Sequence, residues 1–458
     1  MKPLEAYLES HREAFEQELC QWLRIPSVST LTSHRDQTRQ AAQWLGEQFT
    51  RLGLHTEILE TKGHPIVYAE SPPIAGAPTV LVYGHYDVQP PGPESEWKSP
   101  AFEPTRRDGN VYARGATDDK GQVFTHVKSA EAWIKSMGEL PCQLKFLIEG
   151  EEEIGSHNLY EFLPANREKL KCDVVVVSDT SQFGPGQPAI TYGLRGIACF
   201  ELRIMGPNRD LHSGVFGGGV MNPAIAMSKM LAAMIDDQGK IKIPGFYDDV
   251  APLEEREREQ FAALRFSDEG LMKNLGVPAL HGEAGCSTLE RRWARPTFDI
   301  NGLISGYQEE GSKTVLPSKA IAKFSFRLVP NQDPPKIAQA LRDYLTKICP
   351  KGVTMELIDM HGTSAAIVSL DSPFIMAATR AIASGFGKEP VFIREGGSIP
   401  IVNAFRKELG VDTLLLGWGL DDDNPHGPNE KFNLGDFHRA IRSSAWLWEE
   451  LSKIPKAT

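Results

Sequence analysis

The chain has 458 residues, of which 41% are hydrophobic and 24% are charged, and its formal net charge at pH 7 is -11. This composition is typical of a folded globular protein and excludes a disordered or fibrous chain. The acidic charge repels a phosphate backbone, and no cluster of Lys and Arg with interleaved aromatic residues offsets it, so we expect no nucleic-acid partner.

Length, cysteine spacing and hydropathy set the general class of the protein. Single domains usually contain roughly 50 to 250 residues, so we expect about two domains. The six cysteines lie far apart with no C-x-x-C pair, which favours buried free thiols over a disulfide framework or a thiolate zinc site. The N-terminal segment mixes acids and bases at helical spacing, and no run of about 18 apolar residues occurs. These features predict a cytoplasmic protein with no membrane association.

Short apolar runs that each end in a polar cluster predict the strands of a buried sheet. After an amphipathic opening helix, such runs occur at 79–83, 143–148, 173–177 and 412–416. Short, mainly apolar runs of this kind are typical of strands covered on both faces, so the sheet should be largely parallel. Between the first two runs, apolar residues recur every three or four positions, which predicts a helix at 120–137 packed on this sheet.

The pattern of the sequence changes at about residue 194. Apolar and polar residues alternate from 198 to 204 and again from 320 to 328, as in strands with one exposed face. Helices are predicted at about 222–237 and directly after Asp333, where two prolines follow. We therefore predict an α/β domain with a mixed, largely parallel sheet flanked by helices, interrupted by a smaller α+β, ferredoxin-like domain. The predicted boundaries are 1–193 and 362–458 for the larger, discontinuous domain, and 194–361 for the insertion.

Imidazole and carboxylate side chains follow the predicted parallel strands. His85 and Asp87 come directly after the first strand, a run of glutamates follows the second, Asp179 follows the third, and His426 lies beyond the fourth. A His-x-Asp pair or an acidic run is by itself a weak signal, because such charges are usually solvated. The carboxyl ends of parallel strands meet at one sheet edge, however, and together these groups predict a site for hard divalent cations there.

Two acidic segments add candidates for this site. Asp118 lies in a glycine-flanked turn that leads into the helix predicted at 120–137, where its carboxylate could cap the helix or bridge two cations. The segment EGEEEIGS at 149–156 is a candidate source of one metal ligand and one general base. The spacing alone does not distinguish which glutamate has which role.

Four segments of the sequence resemble the M20 metallopeptidases, a family that includes carnosinase-like cytosolic dipeptidases, aminoacylases and desuccinylases. These segments are GHYDV at 84–88, RGATDDKG at 114–121, EGEEEIGS at 149–156 and DLHSG at 210–214. The resemblance covers nearly the whole chain. It implies a catalytic metal-binding domain, an inserted lid and dimerisation domain, and two divalent metal ions per subunit, with zinc as the first choice and manganese or cobalt as alternatives.

The resemblance also implies how the metal ligands divide between the two ions. On this basis His85 and Glu153 belong to one metal-specific ligand set, and Asp179 and His426 belong to the other. Asp118 bridges both ions, and a cis peptide bond follows it.

Three further residues acquire catalytic roles from the resemblance. Glu152 is implied to be the general base, and Asp87 to orient the imidazole of His85. His212 lies in the predicted insertion and is implied to stabilise the oxyanion in the active site of the partner subunit, so that the protein acts as a homodimer. Outside its motif, His212 reads equally well as a loop residue.

Substrate contacts are implied at several positions. Arg327 lies on a predicted strand and would bind a substrate carboxylate through two hydrogen bonds, although an exposed strand arginine is more often only solvated. The loop REGGSIP at 394–400 resembles a substrate loop of the family. The remaining substrate-binding candidates are Thr314, His361, Glu395, Gly397 and Ser398.

The sequence leads us to expect hydrolysis of dipeptides or short peptides. Within the family, an aspartate at the position of Asp179 accompanies dipeptidase or aminopeptidase activity. The alternatives are an N-acyl or N-succinyl amino acid amidohydrolase with the same metals, and a non-catalytic binding protein on the same scaffold. The last alternative normally requires loss of a ligand or of the base, and every such position is intact here.

Overall fold

A computed structural model of the chain describes residues 1–455. Its helices are α1 (Lys2–Ser10), α2 (Arg12–Leu23), α3 (Arg35–Arg51), α4 (Lys120–Met137), α5 (His157–Ala165), α6 (Arg167–Leu170), α7 (Ser213–Phe216), α8 (Pro223–Ala233), α9 (Glu255–Ala263), α10 (Asp268–Leu275), α11 (Thr288–Trp293), α12 (Pro334–Ile348), α13 (Pro373–Phe386), α14 (Pro400–Leu409) and α15 (Leu434–Ser452).

The strands are β1 (His55–Leu59), β2 (Ile66–Glu70), β3 (Thr79–His85), β4 (Thr105–Arg107), β5 (Asn110–Tyr112), β6 (Gln143–Glu149), β7 (Val174–Val177), β8 (Ala189–Leu194), β9 (Gly196–Met205), β10 (Leu211–His212), β11 (Thr297–Ser305), β12 (Val315–Leu316), β13 (Lys319–Leu328), β14 (Thr354–Thr363), β15 (Ala366–Ile367), β16 (Val391–Glu395), β17 (Thr413–Gly417) and β18 (Lys431–Asn433). No helix in this part of the chain is long and apolar enough to cross a membrane.

The described chain forms two compact units. Unit 1 comprises Met1–Tyr192, Val368–Ile393 and the described residues from Ala404 onward, and unit 2 comprises Gly193–Ile367 and Arg394–Asn403. The short segment Arg394–Asn403 belongs to unit 2 because its side chains bond there. Ser398 donates a hydrogen bond to the carbonyl oxygen of Arg195, and Asn403 donates one to that of Ser364.

Unit 1 contains a mixed sheet whose strands lie in the order β1-β2-β6-β3-β7-β17-β8. The four central strands, β6, β3, β7 and β17, pair in parallel, and the strands outside them pair antiparallel. These four are the strands predicted from the short apolar runs. The prediction of a mixed α/β sheet flanked by helices is therefore confirmed, with the parallel pairing confined to its centre.

Helix α4 lies against this sheet and carries few exposed residues. It packs on β3 and α15, and it ends at Met137, where it is capped by Gly138, whose φ of +88° is the left-handed conformation that glycine adopts most easily. Two tryptophan indoles tie α4 to α15. Trp133 donates to the carbonyl oxygen of Ala445 and Trp448 donates to Ser129, each at 2.8 Å. The residues just before α4, which include Asp118, are thereby attached to a rigid element.

Unit 2 contains an antiparallel sheet in the order β11-β13-β9-β14 with helices α8 and α12. This is the strand order of a ferredoxin-like fold, as predicted. Phe200, Phe324 and Phe326 alternate with polar positions and form the buried centre of the sheet. Helix α8 begins where the side chain of Asn222 accepts a hydrogen bond from the Ala224 amide. Strands β11 and β14 were not predicted, because as edge strands they mix apolar and polar residues on exposed faces.

Candidate metal centre and active site

Unit 1 brings together all five predicted metal ligands near the carboxyl ends of its central strands. His85, Asp118 and Asp179 form one group, and Asp118, Glu153 and His426 form a second. In each group the ligand atoms all lie within 4.8 Å of one another. Asp118 belongs to both groups, as expected for a bridging carboxylate. A cis peptide bond joins Asp118 to Asp119, which confirms that prediction.

The division of ligands between the two groups differs from the prediction. The resemblance paired His85 with Glu153 and Asp179 with His426, whereas the structure pairs His85 with Asp179 and Glu153 with His426. The reason lies in the register of the sheet. Asp179 follows β7 closely, and β7 runs parallel to β3, so the Asp179 carboxylate emerges beside His85. Glu153 lies four positions beyond the end of β6 in the 3-10 turn Glu152–Ile154, and its carboxylate meets His426 there.

The orientation and the tautomer of the His85 imidazole suit binding of a cation through Nε2. Its Nδ1 lies 3.1 Å from the carbonyl oxygen of Asp87 and 3.4 Å from the Asp87 carboxylate, so in the neutral ring the proton belongs on Nδ1. Nε2 is then a lone-pair donor, 3.2 Å from Asp118. It is buried and makes no hydrogen bond. A buried imidazole nitrogen without a hydrogen bond, facing carboxylates, fits a metal ligand held by an outer carboxylate.

Asp87 also fixes the glutamate turn. Its carboxylate accepts hydrogen bonds from the backbone amides of Glu152 and Glu153, at 3.2 and 3.1 Å, and from the hydroxyl of Ser29 at 2.7 Å. Asp87 is completely buried. It therefore positions His85, Glu152 and Glu153 together, a wider role than the one predicted for it.

The three adjacent glutamates occupy different environments. Glu151 is buried and accepts hydrogen bonds from the His64 amide and the Asn158 side chain, so it stabilises the turn. The carboxylate of Glu153 lies 3.3 Å from Nε2 of His426. Burial raises the pKa of Glu152 to about 7, an effect opposed by His85 and reinforced by the negative charges of its carboxylate neighbours. Among these three glutamates, only Glu152 has no such hydrogen bond or ion pair, and the charges of the neighbouring site residues act on its carboxylate.

The electrostatics of the centre favour a bound cation. Burial raises the pKa of Asp179 well above its usual range, and the charges of Asp119 and Asp118 add to the effect. Burial acts in the same direction on Asp118, but the imidazoles of His426 and His85, which lie 2.9 and 3.2 Å from its carboxylate, hold its pKa well below the usual range. Clustered carboxylates repel one another unless positive charge neutralises them. The imidazole and carboxylate donors present therefore fit two divalent cations.

Several residues of this centre were not identified from the sequence. Gln89 donates a hydrogen bond of 2.7 Å to the carboxylate of Glu153, and Ser29 donates to Asp87. Glu430 and Arg114 form a buried ion pair beside Asp118. Each acts through a contact between distant parts of the chain. No local pattern marks such a contact.

The predicted substrate residues lie in unit 2, and the structure brings some of them together. Arg327 donates a hydrogen bond of 3.1 Å to the hydroxyl of Ser398, which in turn donates to the carbonyl oxygen of Arg195. The Arg195 guanidinium donates to the carbonyl oxygen of Gly396. Burial and the neighbouring charges of Arg327 and Arg292 lower the pKa of Arg195 to about 10. Arg195 belongs to this cationic cluster, although it was not among the predicted contacts.

The remaining predicted residues of unit 2 lie on its surface or at strand ends. His212 ends β10, pairs with Val315 of β12, and is exposed. Its neighbour Ser213 donates to the carbonyl oxygen of Thr314, which brings the His212 and Thr314 segments together. His361 is an exposed residue of β14, Glu395 ends β16, and Gly397 is exposed in the loop that follows.

Comparison with known proteins identifies the family. Residues 81–450 match the Peptidase family M20/M25/M40, and the chain belongs to this family. It is 33% identical to the Cys-Gly metallodipeptidase dug1 of Schizosaccharomyces pombe, over 98% of this chain and 97% of that protein. It is 31% identical to the human Beta-Ala-His dipeptidase, over 98% of this chain and 92% of that protein.

Solved structures agree with this assignment. The structure of an M20 family metallo-carboxypeptidase, Sso-CP2 from Sulfolobus solfataricus, matches with a TM-score of 0.87 and 34% sequence identity. The match covers 96% of this chain and 99% of that chain. The fold and the family predicted from the sequence are therefore confirmed.

Added metal should stabilise the protein, because a cation relieves the repulsion among the clustered carboxylates. A ligand that binds only the folded state contributes about 2.7 kcal/mol when its concentration is 100 times its Kd. We expect the Tm, followed by circular dichroism, to rise on addition of Zn²⁺ or Mn²⁺ and to fall when a chelator removes the ion. Asp118→Asn should lose most of the rise, and the control Asp421→Asn, an exposed acid in the His426 loop, should retain it. An equal rise in both variants would contradict the assignment of Asp118.

Proposed function

We propose that this protein is a metal-dependent dipeptidase that hydrolyses the peptide bond of dipeptides or short peptides. The observation that carries the proposal is the pair of ligand groups that share Asp118, beyond the carboxyl ends of the parallel strands at the centre of the mixed sheet. Membership of a peptidase family supports it, as does full-length similarity to relatives that are themselves named dipeptidases.

The proposed metal ligands follow the grouping seen in the structure. His85 and Asp179 would hold one ion, Glu153 and His426 the other, and Asp118 both. Imidazole and carboxylate donors accept zinc, manganese and cobalt, and we propose zinc as the native metal, with manganese as the nearest alternative. When bound, such ions supply Lewis-acid polarisation of the scissile carbonyl and lower the pKa of the attacking water.

Glu152 is the proposed general base. It takes the proton of the attacking water and passes it to the leaving amine, a role that needs a carboxylate not committed to other bonds. The structural contacts of Glu151 and the approach of Glu153 to His426 support this choice among the three glutamates.

Arg327 is the proposed contact for the free carboxylate of the substrate. A guanidinium can donate two parallel hydrogen bonds to a carboxylate, and Ser398 orients the Arg327 side chain through its hydroxyl. Both a dipeptidase and a carboxypeptidase need such a group, because each releases a residue that carries a free carboxylate. Thr314, His361, Glu395 and Gly397 remain proposed substrate contacts.

His212 is the proposed oxyanion-stabilising residue and is proposed to act in the active site of the partner subunit. Its Nδ1 accepts a hydrogen bond of 3.0 Å from the Gly214 amide, so in the neutral ring the proton lies on Nε2. The exposed imidazole therefore presents an N–H donor, the kind of group that stabilises a developing negative charge on a carbonyl oxygen.

The proposed homodimer is supported by an exposed apolar edge in unit 2. Strand β11 lies at one edge of its sheet, and Ile300, Leu303 and Ile304 are 48%, 51% and 60% exposed. Long apolar edge strands are templates for pairing with another chain. A second copy of the same strand is the proposed partner, which would make unit 2 the dimerisation domain.

A charge on β11 should separate the proposed dimer. Ile304→Glu would place an unpaired carboxylate in the interface, at a cost of several kcal/mol. We expect light scattering after size-exclusion chromatography to give a dimer mass for the wild type and a monomer mass for Ile304→Glu. Met360→Glu is the matched control, because Met360 is 50% exposed on β14, the opposite edge of the same sheet. A dimer that survives Ile304→Glu would exclude β11 as the interface.

We also propose a cytoplasmic location without nucleic-acid or membrane partners. All six cysteines are free, which is typical of proteins from reducing compartments. The net charge of -11 disfavours binding to phosphate backbones and anionic surfaces.

A substrate panel tests the proposed function. The purified protein, loaded with Zn²⁺ or Mn²⁺, is incubated with free dipeptides, their N-acetylated forms, amidated dipeptides and tripeptides, and released amino acids are measured. We expect cleavage of free dipeptides, little cleavage of amidated ones because Arg327 has no carboxylate to bind, and none in Glu152→Gln.

The other outcomes assign different activities. Cleavage of only N-acetylated compounds would identify a deacylase, which the named relatives do not favour. Faster release of the C-terminal residue from tripeptides than from dipeptides would identify a carboxypeptidase. No cleavage by a fully metal-loaded protein would leave a binding protein.

A further inference from the structure

The buried ion pair of Arg114 and Glu430 lies between the two loops that carry Asp118 and His426. Arg114 is 1% exposed and Glu430 is 0% exposed, and Nη1 of Arg114 lies 2.8 Å from Oε2 of Glu430. The two residues are 316 positions apart in the sequence. Neither residue belongs to the candidate metal-ligand groups.

Glu430 organises the turn that ends at Asp118. Its carboxylate accepts backbone hydrogen bonds from Gly115 and Thr117 at 2.9 Å and from Asp118 at 3.1 Å, in addition to the bond from Arg114. The Glu430 carboxylate therefore accepts four hydrogen bonds, and three of them come from backbone amides of the same turn. The position of the Asp118 backbone depends on this acceptor.

Arg114 holds the other loop. Its Nη2 donates to the carbonyl oxygen of His426 at 3.1 Å and to that of Pro90 at 3.2 Å. His426 has a φ of +61°, in the left-handed region that non-glycine residues adopt only infrequently. A hydrogen bond to its carbonyl oxygen stabilises that conformation and the direction in which the imidazole leaves the backbone.

A second contact ties the same two segments. The hydroxyl of Thr117 donates to the carboxylate of Asp423 at 3.2 Å, and Lys431 donates to the same carboxylate at 2.8 Å. Asp423 is buried, and its carboxylate faces the Thr117 hydroxyl. The loop that carries His426 is thus attached to the turn that carries Asp118 on both sides of His426.

We propose that Arg114 and Glu430 are positioning residues that set the distance between Asp118 and His426 and so determine the affinity and geometry of the metal centre. In the structure, Nε2 of His426 lies 2.9 Å from Oδ2 of Asp118. Residues that orient metal ligands without touching the metal typically contribute about 10- to 100-fold in metal affinity. The inference rests on the proposed metal centre, and it assigns a function to two residues outside that centre.

The test measures metal affinity separately from turnover. Glu430→Gln keeps the shape of the side chain but supplies one oxygen for four donors. Arg114→Lys keeps the positive charge opposite Glu430. A lysine has a single nitrogen and cannot bond to Glu430 through one nitrogen and to the carbonyl oxygens of Pro90 and His426 through another. Glu450→Gln is the matched control, since Glu450 is also largely buried and paired with an arginine, Arg380.

Zn²⁺ and Mn²⁺ titrations by isothermal calorimetry, the Tm of the metal-free protein, and kcat and KM at saturating metal are compared. We expect Glu430→Gln and Arg114→Lys to bind metal about 10- to 100-fold more weakly, and to lose kcat with little change in KM, while Glu450→Gln binds as the wild type does.

Three results would overturn or redirect the proposal. A folded Glu430→Gln variant that binds both ions with wild-type affinity would overturn it. If the variants lose Tm in the metal-free state but keep their metal affinity, the ion pair has only a structural role. If Glu430→Gln does not fold, unchanged affinity in Arg114→Lys overturns the proposal. A wild type that binds two ions but cleaves no peptide would contradict the proposed function and leave the affinity comparison valid.

Discussion

Replacement of Glu152 by glutamine is expected to reduce turnover strongly while leaving metal binding intact. A general base contributes about 10²- to 10⁴-fold to the rate, and glutamine keeps the size and polarity of the side chain but cannot take a proton. We expect kcat for a free dipeptide to fall by this factor, with KM and the number of bound metal ions unchanged.

Glu151→Gln is the matched control, because it makes the same chemical change one residue earlier. Glu151 contacts His64 and Asn158 and is expected to affect stability and not the reaction. Steady-state kinetics and the metal content of both variants should therefore separate the two residues. Equal losses of kcat in the two variants would contradict the assignment, as would loss of bound metal in Glu152→Gln, which would make Glu152 a ligand.

The central sheet could be predicted because its strands are buried on both faces. The runs at 79–83, 143–148, 173–177 and 412–416 are mainly apolar and do not alternate between apolar and polar residues, and each became a central strand. Edge strands lack this signal. Strand β11 exposes Ile300, Leu303 and Ile304 and has a register shift after Ile300, so neither alternation nor an apolar run marks it.

The identity of the candidate ligands could be predicted, but their grouping could not. His85, Asp118, Glu153, Asp179 and His426 follow recognisable motifs or strand ends. Which of them meet depends on strand order and on how far each lies beyond its strand, and neither quantity is local in sequence. Asp179 adjoins His85 because β7 lies beside β3, and the order β6-β3-β7-β17 emerges only on folding.

Outer residues of the site were the hardest to predict. Glu430 follows the His426 loop as one more acid in an acidic chain, and its four hydrogen bonds all come from residues 114 to 118. Arg195 lies between β8 and β9 and was not among the predicted substrate contacts, yet its guanidinium donates to the carbonyl oxygen of Gly396 in the loop that contains Ser398. In both cases the partner lies hundreds of residues away, so the sequence pattern near the residue carries no information about the contact.

The activity lost in His212→Gln is expected to return when this subunit is paired with a Glu152→Gln subunit, which is itself inactive but retains His212. Removal of one oxyanion donor costs about 10²- to 10³-fold in kcat, so His212→Gln alone should be nearly inactive, with metal binding unchanged. If His212 acts in the partner's active site, a heterodimer of His212→Gln and Glu152→Gln subunits contains one complete site, with Glu152 from the first subunit and His212 from the second.

Heterodimers purified with two different affinity tags should then recover about half of the wild-type activity per dimer, because one of two symmetric sites is intact. If His212 acts within its own subunit, neither site is complete and the heterodimer stays as inactive as the two parents. A heterodimer of His212→Gln with wild type gives a further check. It should retain about half of the activity in either case, which makes it the control for correct assembly. Recovery in the first heterodimer requires both dimerisation and exchange of His212 between subunits, so a single kinetic measurement tests the two proposals together.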